Sequence, residues 1–388
     1  FDEYYGFTSG HWGHYFSPPL DHNGEVVRGT GFVVDDFTDH AIEFIRSNRE
    51  RPFFCYLPIN TPHSPMMVPD RFYDEFDGFD PPMRHRDPDK EDIMMTRAAL
   101  AMVENIDWNV GRLLDVLDET GLRDQTIVVF FCDNGPNSFR WNGGMKGRKG
   151  SIDEGGLRSP LFIRWPGTID AGTRVKPIAG AIDLLPTLCD LAGIPKPTAK
   201  PIDGRSLRPL LLDDDRGWEP RHLFSTKGNQ VSVRTDRFRL DAEGQLFDIE
   251  ADPGQREDVS SEHPKLTQEL LEIAGAHRDE MSKDFARYAD RPFSVGYRKA
   301  TTLPARDGVP HGTIQRSAKA PNNSFFESWN DVDDSITWDI EVHHADEYQV
   351  TVSYTCAEGD QGAVITASVD GHDGVARGKV AKVFDPPL

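Results

Sequence analysis

The sequence lacks the marks of a disulfide-held, zinc-bound, nucleic-acid-binding or membrane-spanning chain. Its four cysteines, Cys55, Cys132, Cys189 and Cys356, are scattered over 388 residues with no CxxC pair, which excludes a dense disulfide framework and a cysteine zinc site. No apolar run approaches the roughly 20 residues of a membrane span. Basic residues are few: 43 Lys and Arg against 64 Asp and Glu give a net charge of −21, which argues against DNA or an anionic membrane as partner. A small anionic substrate stays open, because charges beyond the Debye length of about 8 Å are largely screened and nearby cations decide. No initiator Met, basic n-region or apolar h-region precedes FDEYYGF, so the start reads as the interior of a longer protein. No internal repeat or low-complexity tract is present. What remains is a length beyond the roughly 250–300 residues at which one core splits, so more than one domain is expected.

The first half alternates short apolar runs with helical spacing, the pattern of an α/β protein with a mainly parallel sheet flanked by helices. PFFCYL (Pro52 to Leu57), TIVVFF (Thr126 to Phe131) and PLFIRW (Pro160 to Trp165) are near-continuous apolar strands, as expected where both faces are covered. Between them the spacing of Met102, Ile106, Val110, Leu113, Leu114 and Leu117 predicts a helix over 97–117 ended by Gly121. A second helix is expected over 178–192. Past GIPKP (Gly193 to Pro197) and a Pro-rich acidic stretch, the runs 230–240 and 245–250 predict antiparallel strands, ADPG a turn, and 264–281 a helix with Leu266, Leu270 and Ile273 inward. ITWDIEV (Ile336 to Val342) and YQVTVSY (Tyr348 to Tyr354) alternate strictly, suggesting a β-sandwich-like module that is partial at Leu388, with Trp338 on its packed face. The expected divisions are 1–220, a small α+β subdomain at 221–290, and a linker with a β-rich module at 291–388.

In an open α/β sheet, ligands bind beyond the carboxyl ends of the strands. The first apolar run is followed by PINTPHSP, placing His63 between prolines, and the second by Asp133 and Asn134. Asp and Asn offer hard oxygen donors suited to Ca²⁺ or Mg²⁺, and no His or Cys set with zinc spacing accompanies them. Lys149 lies in the glycine-rich link between the second and third strands, which can fold back over the same crevice. Two unit charges 4 Å apart interact by about 4 kcal/mol at an effective dielectric near 20, so one ammonium and a divalent ion can hold a sulfate or phosphate group. Each part has a plain structural reading: DNG is a common turn, His63 a surface histidine, Lys146, Arg148 and Lys149 a solvated loop, Cys132 a small apolar residue. Their combination is what points to a site.

The sequence resembles the sulfatase family of the alkaline-phosphatase-like superfamily. The blocks FDEYYGF, PFFCYLPINTPHSP, ENIDWNVGRLLDVLDETGLRDQTIVVFFCDNG, KGRKGSIDEGGLRSPLFIRWPG and LFDIEADPGQREDV stand in family order between Phe1 and Met281. The resemblance implies an alkaline-phosphatase-like fold, Asp133 and Asn134 as ligands completing a Ca²⁺ site, with Ca²⁺ ahead of Mg²⁺, and Lys149 and His63 as contacts to the sulfate. His63 would also assist departure of the alcohol. Lys146 falls three residues too early for the family's spacing to EGG.

Family members also carry an early aspartate pair and a CxPSR-like motif whose Cys or Ser becomes formylglycine. None of the four cysteines sits in such a motif. Because FDEYYGF follows those blocks in the family, the expectation is a chain truncated at its amino terminus and inactive alone. The implied activity of the whole protein is sulfate ester hydrolysis, on a sulfated carbohydrate if the terminal β module binds sugar. Implied too are a formylglycine-generating maturation enzyme as partner and a periplasmic or secreted location. A phosphodiesterase or phosphonate monoester hydrolase on the same fold, and a non-catalytic glycan-binding scaffold, are the alternatives.

Overall fold

The computed structural model describes residues 1–7, 14–197, 199–212, 217–288, 291–297, 300–317, 325–356, 358–370 and 375–380. The chain divides into two compact units, Phe1–Asp290 and Arg291–Leu388.

The first unit opens with a three-stranded antiparallel ribbon, β1 (Tyr5–Gly6), β2 (Pro19–His22) and β3 (Glu25–Arg28). The β2–β3 turn is Asn23–Gly24, with φ of 54° and 94°, the residue pair and backbone that suit a two-residue hairpin turn. Helix α1 (Val33–Asn48) follows, then the short α2 (Asp70–Tyr73) and the long α3 (Ile93–Glu119). Asp92 caps α3 by accepting from the Met95 N–H at 3.0 Å, satisfying one of its free amide donors. Gly121, at φ 73°, stands just past its end. The apolar stripes of α1 and α3 meet in two clusters, one around Tyr15, Val33, Val34, Phe37 and Met102, the other around Ile42, Ile45, Val116 and Leu117. Asn105 and Asn109 of α3 each donate to Asp35 of α1 at 2.8 Å.

Strands β4 (Val128–Phe131) and β5 (Leu161–Arg164) pair antiparallel, from Val128 opposite Arg164 to Phe131 opposite Leu161. The α/β class holds, but a parallel ladder is not found among the described pairs of this unit. A continuous apolar run reports burial, not pairing direction, and the long β4–β5 connection lets the chain return antiparallel. Pro52–Leu57 is not a strand either. Phe53 packs with Val128 against the second helix cluster, while Phe54 and Tyr56 are 64% and 60% exposed, and no described strand supplies the ladder a β segment needs. Nor are β4 and β5 covered on both faces. Phe162 is 64% exposed on one face, and Phe131 and Leu161 are exposed on the other.

Helix α4 (Glu154–Leu157) lies in the loop that precedes β5, and α5 (Leu184–Leu191) and α6 (Arg208–Leu211) follow it. A four-stranded antiparallel sheet follows, β6 (Leu223–Lys227), β7 (Gln230–Arg234), β8 (Phe238–Leu240) and β9 (Leu246–Asp248). Helix α7 (Pro264–Tyr288) packs across it, with Leu270 and Ala274 buried against Val231, Val233, Leu240 and Leu246. A buried ion pair, Arg221 to Asp183 at 2.8 Å, ties the segment before α5 to the entry of this sheet.

In the second unit the described ladders are two-stranded. β10 (Phe293–Val295) pairs parallel with β15 (Ile340–Val342). β11 (Val309–His311) with β14 (Ser335–Thr337), β12 (Gln315–Arg316) with β13 (Phe326–Glu327), and β16 (Val364–Ser368) with β17 (Val375–Lys379) are antiparallel. Tyr348–Tyr354 is not a strand. Tyr348, Val350 and Val352 are exposed, so its alternation has no packed face to satisfy. The segment VDGHDG after β16 has the composition of a turn, and its tip, 371–374, lies outside the described residues. Trp338 is a packing residue, its indole N–H donating to the Pro304 carbonyl at 3.0 Å. No described helix is long and apolar enough to cross a membrane.

Apolar rings this open should bind hydrophobic dye. A Phe54→Ser/Phe162→Ser variant is expected to lower 1-anilinonaphthalene-8-sulfonate fluorescence of the chain and to shift its melting temperature by no more than about 2 °C, since exposed positions change stability little. A large fall in melting temperature would show both rings to be core.

Candidate active site

The segment after β4 runs Cys132, Asp133, Asn134, Gly135, Pro136, and the returning loop 146–160 is laid against it by backbone hydrogen bonds. The Cys132 N–H donates to Pro160 at 3.3 Å, Gly135 to Gly156 at 3.0 Å, and Lys149 to Pro136 at 2.9 Å. Ser159 donates to the Cys132 carbonyl at 2.6 Å, and the Arg148 guanidinium to that of Asn137 at 2.6 Å. The approach is close enough to require glycine. A Cβ on Gly135 would run into the Gly155 carbonyl, and one on Gly155 into the Gly147 carbonyl. The glycines of DNG and DEGG are therefore needed for backbone contact.

Beneath the loop, Glu154 is 2% exposed and accepts from Arg234 at 2.8 Å and from Arg239 at 2.7 and 2.9 Å. These arginines belong to β7 and β8. Burial pushes the Glu154 carboxyl up, but the Arg239 and Arg234 guanidiniums pull it down further, so it stays below the usual glutamate range. Gln255 accepts from the Glu154 N–H at 2.9 Å and donates to Asp153 at 3.2 Å. Lys146 is bound to Asp241 at 3.0 Å and lies 3.4 Å from Asp153. Burial lowers its pKa, but the two carboxylates raise it overall. Lys146 is thereby a tie between the loop and the small sheet.

The fold-back bonds the Lys149 N–H to the carbonyl of Pro136, the second residue after Asn134. The Lys149 side chain is half-buried and has no ion pair or side-chain hydrogen bond among the described residues. Asp133 is exposed, its carboxylate meeting, among the described residues, only the weak Cys132 thiol donor at 3.8 Å. Asn134 donates its amide N–H to the Gly135 carbonyl at 3.0 Å, which leaves Oδ1 as an acceptor. His63 is positioned by other contacts: Tyr15, fully buried, donates to the His63 and Ser64 carbonyls at 3.0 and 3.2 Å, and the His63 Nδ1 lies 2.8 Å from the Ser64 carbonyl oxygen. The loop contacts bring Lys149 to the Asp133–Asn134 pair; those around His63 bring it to Tyr15.

Asp133 and Asn134 fit a hard cation in donor type but fill only two positions of the six to eight that Ca²⁺ takes. No cluster of three or more His, Cys, Asp or Glu suited to a metal is present among the described residues. Sequence reasoning passed over Glu154, for which DEGG gave a signal, an acid beside contact glycines.

Residues 1–194 match the sulfatase family model, and residues 148–276 match that of the N-sulphoglucosamine sulphohydrolase C-terminal region. The chain belongs to the sulfatase family. It is 32% identical over 230 residues to the uncharacterized sulfatase YdeN of Escherichia coli, covering 58% of this chain and 39% of that protein. To mouse steryl-sulfatase it is 35% identical over 216 residues, 53% of this chain and 30% of the relative. To mouse N-acetylgalactosamine-6-sulfatase it is 29% identical over 260 residues, 61% and 46%. The chain thus spans less than half the length of these curated relatives. Among solved structures, Ps i-CgsB superposes with a TM-score of 0.62 at 28% identity, covering 72% of this chain and 66% of that one. BT4656, solved with its substrate D-glucosamine-2-N,6-O-disulfate, superposes at 0.61 and 20%, covering 73% and 77%. The fold of this sulfatase-family chain is accordingly the α/β, alkaline-phosphatase-like one.

Glu154→Gln would leave two buried guanidiniums without their anion and is expected to lower stability by about 3–5 kcal/mol at neutral pH. Because the folded-state pKa of Glu154 is depressed, its contribution is complete above the unfolded value of about 4.3 and is lost as pH falls through the folded one. Urea unfolding from pH 7 downward should show the two proteins converging in acid. A gap that stays constant with pH would remove Glu154 from this role.

Proposed function

We propose that this chain is part of a sulfuric ester hydrolase acting on a sulfated carbohydrate. The observation that carries the reading is the fold-back that bonds the Lys149 backbone to Pro136, two residues past Asn134, in a chain of the sulfatase family. Lys149 would bind a sulfuryl oxygen and stabilise negative charge there, in a setting fixed before substrate arrives. His63, tethered through its Nδ1 side and its backbone, would use Nε2 to protonate the departing alcohol. Asp133 and Asn134 would hold Ca²⁺, which when bound supplies Lewis-acid polarisation of the sulfate. The sugar as substrate class is supported by relatives whose names specify one, including N-acetylgalactosamine-6-sulfatase and the disulfated glucosamine complex.

The covalent nucleophile of the family, formylglycine, would come from sequence outside these 388 residues and would need its maturation enzyme. The chain alone would then release no sulfate. A phosphonate monoester hydrolase of the same superfamily is also structurally similar, with a TM-score of 0.50 at 23% identity, a likeness of fold alone.

In the full-length protein, Lys149→Ala is expected to lower kcat/KM for a sulfate ester by roughly 10²–10³-fold, the loss of one charge-stabilising donor. Asp133→Ala should abolish stabilisation by added Ca²⁺ in thermal melts. Unchanged turnover in the first, or an intact Ca²⁺ shift in the second, would remove those roles. Faster cleavage of phosphonate than of sulfate monoesters would favour the superfamily alternative.

A further inference from the structure

The register of the small sheet sends its side chains to two faces. Val231, Val233, Leu240 and Leu246 are buried with Leu270 and Ala274 of α7, and Phe224 joins that face, stacked on His277 of α7 with ring centroids 4.1 Å apart. Strand side chains alternate, and residues directly opposite in an antiparallel ladder share a face. The pairs Leu223–Arg234, Lys227–Gln230 and Arg234–Arg239 therefore lie on the other face, and its cations hold the returning loop at alternate residues. Lys227 donates to the Gly150 carbonyl, Arg239 to the Ile152 carbonyl at 3.2 Å, and Arg234 and Arg239 to the Glu154 carboxylate at 2.8 and 2.9 Å. A Cβ built on Gly150 would stand 3.9 Å from the Lys227 ammonium.

The first of these contacts falls inside the turn that carries Lys149. The Ser151 N–H donates to the Arg148 carbonyl at 2.9 Å, and Gly150 has a φ of 88°, the backbone of the third residue of a type II turn. Lys149 is the second residue of that turn. Its N–H is bonded to the Pro136 carbonyl, and the Gly150 carbonyl is bonded to Lys227. The peptide group before Lys149 and the one after Gly150 are thus each held from outside the turn, the first by the segment leaving β4 and the second by the β6–β7 hairpin. With Lys227 removed, the nearest side-chain tie from the sheet on that side, among the described contacts, is the one at Ile152.

We propose that Lys227 is a positioning residue for Lys149: its ammonium fixes the Gly150 carbonyl, and with it the backbone from which the Lys149 side chain reaches the sulfate. The proposal rests on the sulfatase reading above. An ionised donor makes this tie stronger than a neutral hydrogen bond. Lys227 itself is exposed, so replacing it leaves no buried charge behind and changes global stability little. Its effect falls on the one turn it touches.

The test is a double-mutant cycle in the full-length protein, with Lys227→Met and Lys149→Ala read on turnover of an aryl sulfate. Lys227→Met is expected to lower kcat/KM about 10-fold, the scale of loss that follows a small misplacement of a charge-stabilising group, while the melting temperature moves by no more than about 2 °C. In the Lys149→Ala background the same change should have no effect, because residues acting through one contact do not add. Lys227→Arg, which can still donate to the carbonyl, should recover most of the loss. Full activity in Lys227→Met, or additive losses in the cycle, overturns the proposal. Amide hydrogen exchange reads the same tie without turnover: the Lys149 and Ser151 N–H groups, both hydrogen-bonded, should exchange about 10-fold faster in Lys227→Met, and unchanged exchange also overturns it. Failure of the unsubstituted full-length protein to release sulfate rejects the sulfatase reading, and exchange then decides whether Lys227 holds the turn.

Discussion

The buried carboxylate of Glu154 is the point on which the rest of the site depends. Two guanidiniums from neighbouring strands of the small sheet converge on one acid from the returning loop. An anion this deeply buried is tolerable only when paired and hydrogen-bonded, and removal of either side leaves an uncompensated charge. The geometry fixes where the loop must lie, because Arg239 also donates to the Ile152 carbonyl and to Ser232. From that anchor the loop continues into the contacts that deliver Lys149 to Pro136. The sheet at 223–248, far along the chain from Asp133, is therefore part of what builds the rim beside it.

Close backbone packing converts that anchoring into position. With Gly135 against Gly155, and Gly155 and Gly156 against the 146–151 turn, the loop has little freedom to rise away from the Asp133–Asn134 segment. A lysine on a free loop would lose several rotamers and backbone angles on meeting an anion. Here the backbone is already ordered, and only the side chain remains to be fixed. Preorganisation of this kind is the usual basis of charge stabilisation in enzymes.

How much of this the sequence disclosed depended on how local the determining interaction was. The long helix was readable from Met102, Ile106, Val110 and Leu117, because helical periodicity is a property of neighbours; the observed span is Ile93–Glu119. Helix α7 and the strands it covers were readable for the same reason. The family's spacing to EGG separates Lys149 from Lys146; that Lys146 is tied to Asp241, 95 residues away, was not readable. Pairing was not readable. TIVVFF and PLFIRW showed apolar strands but not that they run antiparallel, and PFFCYL showed β character without a ladder to join.

The acidity of the chain and the proposed anion site are reconciled by where the acids are engaged. Around the loop, Asp153 and Asp241 are bound to Lys146, Glu154 to Arg234 and Arg239, and Asp248 to Arg237. Taken together these three groups carry no net charge, two acids with one lysine being balanced by one acid with two arginines, while the remaining surface charge is screened beyond about 8 Å. Lys149 has no such acid partner among the described residues. Asp133 is the exception among the acids, a carboxylate with no cationic partner among the described residues, which alone would repel a sulfate by about 4 kcal/mol at 4 Å and an effective dielectric near 20. A divalent cation on Asp133 and Asn134 would reverse the sign of that term. The charge balance of the rim thus favours the proposed metal: without it the nearest carboxylate would offset the ammonium, and with it the carboxylate's charge would be more than neutralised.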